Sequence, residues 1–332
     1  MAGQLFDNHG RPINYLRLAV TDRCNLRCFY CMPEEGIKYV ARQQLLTYEE
    51  MVRMVSVLVP LGINKLRLTG GEPFLRRDFM DFLRTISSIE GLDQINLTTN
   101  GTLTEKYVPE LKALGIHSVN LSIDTLDRQR FYDITRRDNL PQVWSTFEAL
   151  LEAGIPTKLN AVVMDGRNIE DIIPMVELTK RYPVSVRFIE EMPFNGDVAH
   201  YQHLPWHHHR IITHIREAYP DMQKLPDPPN STSANYHIPG HHGTVGVIAA
   251  YSRTFCGTCN RIRITPQGLL KTCLYDQGVF SVRDILRAGA TDEQLQDAFV
   301  SALQNRARDG WEAEGRQSSD PNARESMATI GG

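Results

Sequence analysis

Six cysteines fall into two tight groups, Cys24, Cys28, Cys31 and Cys256, Cys259, Cys273, with none left over. Grouping of this kind in a large chain reads as metal ligands or redox centres, not as a disulfide framework. In Cys24-Asn25-Leu26-Arg27-Cys28-Phe29-Tyr30-Cys31 three thiolates can wrap one face of an iron–sulfur cube, for which thiolate is the preferred ligand. Three ligands leave one iron open to an outside donor. A zinc knuckle would close a tetrahedron with a fourth ligand, and no further His or Cys lies near this run. The second group, Cys256-Gly257-Thr258-Cys259 with Cys273 beyond it, admits zinc with His241 or His242 as the fourth ligand. The presence of the first group favours a second iron–sulfur site, again with an iron kept open for substrate.

Cationic residues are the other chemical signal. Arg261 and Arg263 alternate along one strand face. Arg17, Lys65, Arg67, Lys158 and Arg187 sit in β-branched runs that read as core strands. Unpaired buried cations are costly, so cations on core strands predict a polyanion between them, and guanidinium forks suit phosphate oxygens.

The elements that must position these groups are legible as β-α repeats. Strands are predicted at about Asn14–Ala19, Lys65–Thr69, Gln94–Thr98, Ser118–Ile123, Thr157–Val163 and Val184–Glu190. Thr47-Tyr48-Glu49-Glu50 has capping-box spacing and opens a helix to about Leu61, and Asn168–Arg181 is a second helix. Six such repeats imply parallel strands, in a partial barrel or an open doubly wound sheet. Composition shifts near Phe194, where His200, His203, His207, His208, His209 and His214 crowd together; they carry no metal-ligand spacing and read as solvated surface. A β-rich piece follows, with strands at Thr244–Ser252, Arg261–Thr265 and Gly268–Cys273, then helices at about Ser281–Ala288 and Thr291–Arg306. The polar stretch from Asp309 to Gly332 reads as unstructured by composition.

With 332 residues, 42% hydrophobic and 23% charged, the chain can bury a large core. A formal charge of −3 argues against non-specific nucleic-acid binding. No apolar run is long enough to span a bilayer, and Met1–Asp7 lacks the pattern of a secretory signal, so a cytoplasmic location is expected.

The first cysteine run, with Tyr30 before its third cysteine and Thr69-Gly70-Gly71-Glu72-Pro73 ending the second strand, resembles the radical S-adenosylmethionine enzymes. Further matches make the resemblance closest to the GTP 3′,8-cyclases of molybdenum-cofactor biosynthesis. They are Arg17, Thr98-Thr99-Asn100-Gly101, Ser122-Ile123-Asp124, Lys158-Leu159-Asn160, Phe188–Pro193, Phe255–Arg263 and the terminal Ile330-Gly331-Gly332. The resemblance implies an α/β fold, an incomplete (β/α)6 TIM-like barrel over residues 1–193. A C-terminal β-rich region, 194–308, would close its open side and carry the second cluster, and a tail, 309–332, would reach the active site through Gly331-Gly332. It implies two [4Fe-4S] clusters, on Cys24, Cys28, Cys31 and on Cys256, Cys259, Cys273. Tyr30, Gly71, Ser122 and Met192 would contact S-adenosylmethionine. Arg17, Arg67, Thr98, Lys158, Arg261, Ile262 and Arg263 would bind GTP, with Arg261 and Arg263 also counted as catalytic beside the first cysteines. The implied partners are a reducing electron-transfer protein, the next enzyme (cyclic pyranopterin monophosphate synthase) and a second copy in a homodimer, with no nucleic acid and no membrane. A radical enzyme acting on a peptide is the rival reading, although it would not need the cations to converge. A non-catalytic zinc or RNA-binding module sits badly with the acidic charge and the three-cysteine sites.

Overall fold

Alternation of apolar and polar residues along six successive strands dictates which face of the sheet is buried under helices. The strands are β1 (Tyr15–Ala19), β2 (Lys65–Thr69), β3 (Gln94–Thr99), β4 (Ser118–Ser122), β5 (Thr157–Val163) and β6 (Ser185–Glu190). They lie within a residue or two of the predicted positions. The computed structural model describes residues 3–34, 36–37, 39–192, 204–316 and 326–330. Between the strands run α1 (Tyr48–Leu58), α2 (Phe79–Ser87), α3 (Val108–Ala113), α4 (Arg128–Thr135), α5 (Leu140–Glu152) and α6 (Ile172–Arg181). The expected capping box opens α1: the Thr47 hydroxyl accepts from Glu50 N, and the Glu50 carboxylate accepts from Thr47 N. A 3-10 turn ends that segment at Gly62, whose φ of 96° is left-handed.

Leu16, Leu66 and Ile262 face α1, α2 and a later helix in one apolar cluster with Met51, Phe79 and Phe299. Leu121, Leu159 and Val186 do the same in a second cluster with Phe147, Met175 and Ile211. The intervening residues, among them Arg17, Arg67 and Lys158, point to the other face. Period two therefore separates an apolar helix-covered side from a polar, cationic side.

The C-terminal region comprises α7 (His208–Ala218), β7 (Gln223–Lys224), β8 (Ser233–His237), β9 (Thr244–Ile248), β10 (Arg261–Ile264), β11 (Leu269–Lys271), β12 (Phe280–Ser281), α8 (Val282–Arg287), α9 (Asp292–Leu303), α10 (Gly310–Gly315) and α11 (Met327–Ile330). Its strands divide between both edges of the first sheet, in the order β12-β11-β10-β1-β2-β3-β4-β5-β6-β9-β8-β7. β10 pairs parallel with β1, and β9 pairs parallel with β6. The sheet remains open, with two-residue strands β12 and β7 at its ends. The second region thus extends both edges of the partial barrel and does not close it by hydrogen bonds.

Two expectations are corrected. The stretch after Asp309 is not structureless: the Asp309 carboxylate caps α10 by accepting from Trp311 N and Glu312 N. The Arg253 guanidinium lies over the rings of Tyr275 at 3.6 Å and Trp311 at 3.8 Å and pairs with Glu314 at 2.7 Å. A cap and a cation–aromatic stack order a segment whose apolar content is low. Nor is the histidine group wholly solvated: the partly buried His208 Nδ1 lies 2.9 Å from the buried Glu190 carboxylate. His200 and His203 lie outside the described residues, as do Gly331 and Gly332.

Candidate active site

The loop after β1 carries Cys24, Cys28 and Cys31, and the loop after β2 is laced to it. Gly71 N donates to Thr21 O at 2.8 Å and Glu72 N to Arg23 O at 2.8 Å. A Cβ at Gly71 would stand 2.2 Å from Arg23 O, and one at Gly70 would stand 2.4 Å from Thr21 O. The two glycines are required because backbone meets backbone there. The buried Glu72 carboxylate accepts from Asn100 N at 2.7 Å and Thr99 Oγ1 at 2.8 Å, which ties β3 to the same loop. Burial raises the Glu72 carboxyl to about 7 against these hydrogen bonds.

All six cysteines line one cavity of about 480 Å³, on the polar side of the sheet. None of the six is joined in a disulfide. Burial and the nearby Glu72 push the Cys24 thiol up to about 12, and burial pushes Cys28 well above its ordinary value and Cys273 to about 11. Burial would raise Cys259 too, but Arg261 and Arg306 bring it down to about 6. Among the described residues no three His, Cys, Asp or Glu side chains are arranged around a single ion. His241 bonds Thr179 Oγ1 at 2.8 Å, and neither it nor His242 lines the cavity. Sets of three thiolates are the donor chemistry of an iron–sulfur cube with one iron left open.

Tyr30, Gly71, Ser122 and Met192 also line this cavity. The Tyr30 hydroxyl donates to Asp124 Oδ2 at 2.9 Å, and Asp124 Oδ1 accepts from Val162 N at 2.8 Å. That aspartate is buried, and burial raises its carboxyl to about 6.

The cations form rows across the strands. Arg67, Arg17 and Arg263 are register partners on β2, β1 and β10, and one step along lie Lys65, Tyr15 and Arg261. Adjacent strands are ~4.8 Å apart, so three guanidinium stems stand side by side, an arrangement that self-repels. Burial, and then Arg263, Arg67 and Arg261, press Arg17 well below its ordinary value. Burial and Arg261 bring Arg263 to about 10, and burial and Arg67 do the same for Arg187. Lys158 falls to about 7 through burial, Arg187, Arg67 and Lys65. Thr98 lines the cavity beside Arg67, whose Nη1 donates to Leu97 O at 2.8 Å and Thr98 Oγ1 at 3.3 Å. A site of this kind has a pronounced demand for a multiply charged anion.

Of the residues that the resemblance implied would hold a cluster, S-adenosylmethionine or GTP, all line the cavity except Ile262, which is fully buried in the helix-facing core, opposite Leu16. Alternation forces this, since its neighbours Arg261 and Arg263 face the cavity. Tyr15 and Asn120 line the cavity and were missed, and Asn160 lines it without having been given a role. Each stands two positions from a recognised residue (Arg17, Ser122 and Lys158), so the same alternation could have found them. Tyr15 accepts from Arg67 Nε at 2.6 Å. Burial would raise its phenol, but Arg67, Arg17 and Lys65 outweigh it and bring it to about 7. The C-terminal segment also arrives here: Met327 lines the cavity, Ser326 Oγ donates to Cys31 O at 2.6 Å, and Ile330 is buried.

Comparison with known proteins agrees with this geometry. The family model described as Radical SAM superfamily matches residues 18–179, and that described as Molybdenum Cofactor Synthesis C matches residues 184–311. Molybdenum cofactor biosynthesis protein 1 of Drosophila melanogaster is 41% identical over 92% of this chain and 54% of its own length. The GTP 3′,8-cyclase of Syntrophomonas wolfei is 39% identical over 94% of this chain and 98% of its own length. The chain spans about half the length of the animal relatives it matches. Among solved structures, Streptococcus suis SuiB bound to S-adenosylmethionine has a TM-score of 0.63 at 12% identity, covering 94% of this chain and 70% of that one, a likeness of fold.

An open parallel sheet with a three-cysteine loop after its first strand, packed on a Gly-Gly-Glu-Pro turn after its second, defines a radical S-adenosylmethionine protein. The chain belongs to that superfamily and, within it, to the molybdenum-cofactor-synthesis family whose members include the GTP 3′,8-cyclases. Membership of the superfamily brings S-adenosylmethionine and an iron–sulfur cluster with it.

Proposed function

We propose that this chain is a GTP 3′,8-cyclase, joining C3′ of the ribose to C8 of guanine to give 3′,8-cyclo-7,8-dihydro-GTP, the first step of molybdenum-cofactor biosynthesis. The observation that carries the reading is one cavity lined by two three-cysteine sets and by a field of cations. On this reading there are two [4Fe-4S] clusters, on Cys24, Cys28, Cys31 and on Cys256, Cys259, Cys273. The first, with S-adenosylmethionine, supplies the 5′-deoxyadenosyl radical that opens the reaction.

The chain's own residues bind and orient. Tyr30, Gly71, Ser122 and Met192 hold S-adenosylmethionine. Arg17, Arg67, Thr98, Lys158, Arg261 and Arg263 take the triphosphate and sugar, joined by Tyr15, Lys65 and Arg187 from the same face. Holding both reactants in a walled cavity positions C3′ and keeps water from the radical. A peptide substrate would give this cationic field nothing to neutralise.

The reading extends to a reducing electron-transfer partner, to product handed to cyclic pyranopterin monophosphate synthase, and to a cytoplasmic homodimer. An anaerobic assay of the reconstituted protein with GTP, S-adenosylmethionine and dithionite tests it. Cyclised nucleotide and 5′-deoxyadenosine should appear together. Replacing Cys24, Cys28 and Cys31 by Ala should abolish both, whereas replacing the second triad should leave deoxyadenosine alone. Stoichiometric zinc without iron in anaerobically purified protein would refute it.

A further inference from the structure

Beside the second cysteine set, outside the cavity lining, lies a buried charge network that no cavity role explains. Arg306, which follows α9, is 3% exposed and donates all five of its N–H groups. Nε reaches Thr272 O at 3.0 Å. Nη1 reaches Asp7 Oδ2 at 3.0 Å and Cys259 O at 2.9 Å. Nη2 reaches Cys259 Sγ at 3.2 Å and Arg261 O at 2.9 Å. One guanidinium therefore grips the start of β10, the end of β11 and a ligand sulfur together.

Asp7 fixes that guanidinium and a second one. Its carboxylate also accepts from Arg11 Nε at 2.7 Å and Arg11 N at 2.9 Å. Arg11 in turn donates to Cys256 O at 3.0 Å and to Ala307 O at 3.1 Å. A bridge between Phe6 and Pro12 folds this N-terminal segment, and Asn8 N donates to Leu303 O at 3.2 Å. Cys273 is held separately, its N–H and that of Thr272 both donating to Asp276 Oδ2 at 2.7 Å. Every cysteine of the set is thus braced by a charged side chain from outside the cavity.

We infer that Arg306, locked by Asp7, is the positioning residue of the second iron–sulfur site: it sets the spacing of Cys259 against the β11 end, and its hydrogen bond to Cys259 Sγ raises the reduction potential of the cluster held there. The inference rests on the proposal that the second triad carries a cluster. Outer-shell partners orient ligands and tune affinity, and hydrogen bonds to cluster sulfurs are among the levers on potential. The sign follows from charge: reduction adds an electron to the cluster, and a cation with its N–H on the sulfur stabilises the more negative form. Burial in a saturated network makes Arg306 a fixed charge, not a wandering surface one.

The test uses the full chain with Cys24, Cys28 and Cys31 replaced by Ala, so that the second triad alone reports. Arg306→Gln and Arg306→Lys are made in that background, and Arg306→Gln also in the reverse background lacking the second triad. Iron per chain and midpoint potential are read by anaerobic iron analysis and a dithionite titration followed by electron paramagnetic resonance. The second cluster should shift to a more negative potential in Arg306→Gln and less so in Arg306→Lys, which keeps the charge but not the fork. The first cluster should not move. Loss of iron from the second triad in Arg306→Gln, with Arg306→Lys retaining it at a lowered potential, supports the same role. An unchanged potential at full iron content overturns the inference, as does an equal effect on both clusters or a failure of both variants to fold. A parent background that binds no iron at the second triad refutes the two-cluster proposal itself, and the inference with it.

Discussion

Arg17, Arg67 and Arg263 occupy adjacent strands in register, the like-charge pairing that sheets ordinarily avoid. Charge-assisted hydrogen bonds are worth ~1.5–3 kcal/mol, so a triphosphate that accepts from such groups offsets the repulsion among them. Arg261→Ala and Arg263→Ala should each weaken GTP binding roughly ten- to a hundredfold while leaving fold and iron content in place. Equilibrium binding with iron analysis checks this, and unchanged affinity in both variants refutes it. A pH dependence follows at the same scale. Lys158 titrates at about 7 in the free chain, depressed by burial and by Arg187, Arg67 and Lys65, with Tyr15 and His117 also nearby. Phosphate favours its ammonium, so binding takes up a proton above pH 7 and not below. Tyr15, also brought to about 7, acts in the same direction, since its phenolate repels phosphate at higher pH. GTP affinity should therefore fall between pH 7 and 8 by roughly tenfold for each proton taken up. Calorimetry in buffers of different ionisation enthalpy would register the uptake. Combining Lys158→Arg with Tyr15→Phe should flatten the slope, and a flat profile in the parent protein would contradict the assignment.

Elements hold the site by close approach. The turn after β2 lies so tightly on the cysteine loop that a Cβ at Gly71 meets Arg23 O at 2.2 Å. Neither partner can yield by a rotamer change, because both are backbone. Gly71→Ala should displace the cysteine loop from Glu72 and lower iron at the first triad, while the second triad keeps its own. Iron analysis in a background lacking Cys256, Cys259 and Cys273 reads the first site alone, and full iron there would show that the contact is slack. At the other end of the cavity Glu190 does comparable work. Its carboxylate accepts from His208 N at 2.6 Å, Ser252 N at 2.7 Å and Ser252 Oγ at 2.8 Å, joining β6, α7 and the segment that leads to Cys256.

Across the whole molecule the cavity is a stability cost held in reserve for a ligand. Lys158 has a folded value near 7 against an ordinary 10.5, so folding disfavours its charge. For a base shifted down, that cost is complete below about pH 7 and vanishes as pH rises towards the unfolded value. Lys158→Met should accordingly raise the melting temperature of the ligand-free chain at pH 6. Inorganic tripolyphosphate should stabilise the parent protein by several degrees, since a ligand at a hundred times its dissociation constant contributes about 2.7 kcal/mol. The same addition should help Lys158→Met less. Differential scanning calorimetry at fixed ionic strength decides this, and a variant less stable without ligand and equally protected with it would overturn the trade between stability and binding.

Local chemistry was legible without coordinates. The cysteine spacing, the Gly-Gly-Glu-Pro turn and the six β-α repeats each declare themselves within a few residues, because ligand spacing, backbone contact and strand period are short-range constraints. Alternation even separates Arg261 and Arg263 from the core residue Ile262, although that distinction was not drawn from sequence. What tertiary structure alone decided is long-range. β9 and β10 are neighbours along the chain, yet they join opposite edges of the first sheet, β10 beside the distant β1, and only this pairing places Arg263 beside Arg17 and both triads in one cavity. Asp7, Arg11 and Arg306 carried no motif, since residues about three hundred positions apart meet only when N-terminal and C-terminal segments pack together. The Arg253 stack on Tyr275 and Trp311 escaped notice for the same reason, and α10 with it. Spacing encodes what one segment can do by itself; which segments meet is set by burial of the helix-facing side of the whole sheet.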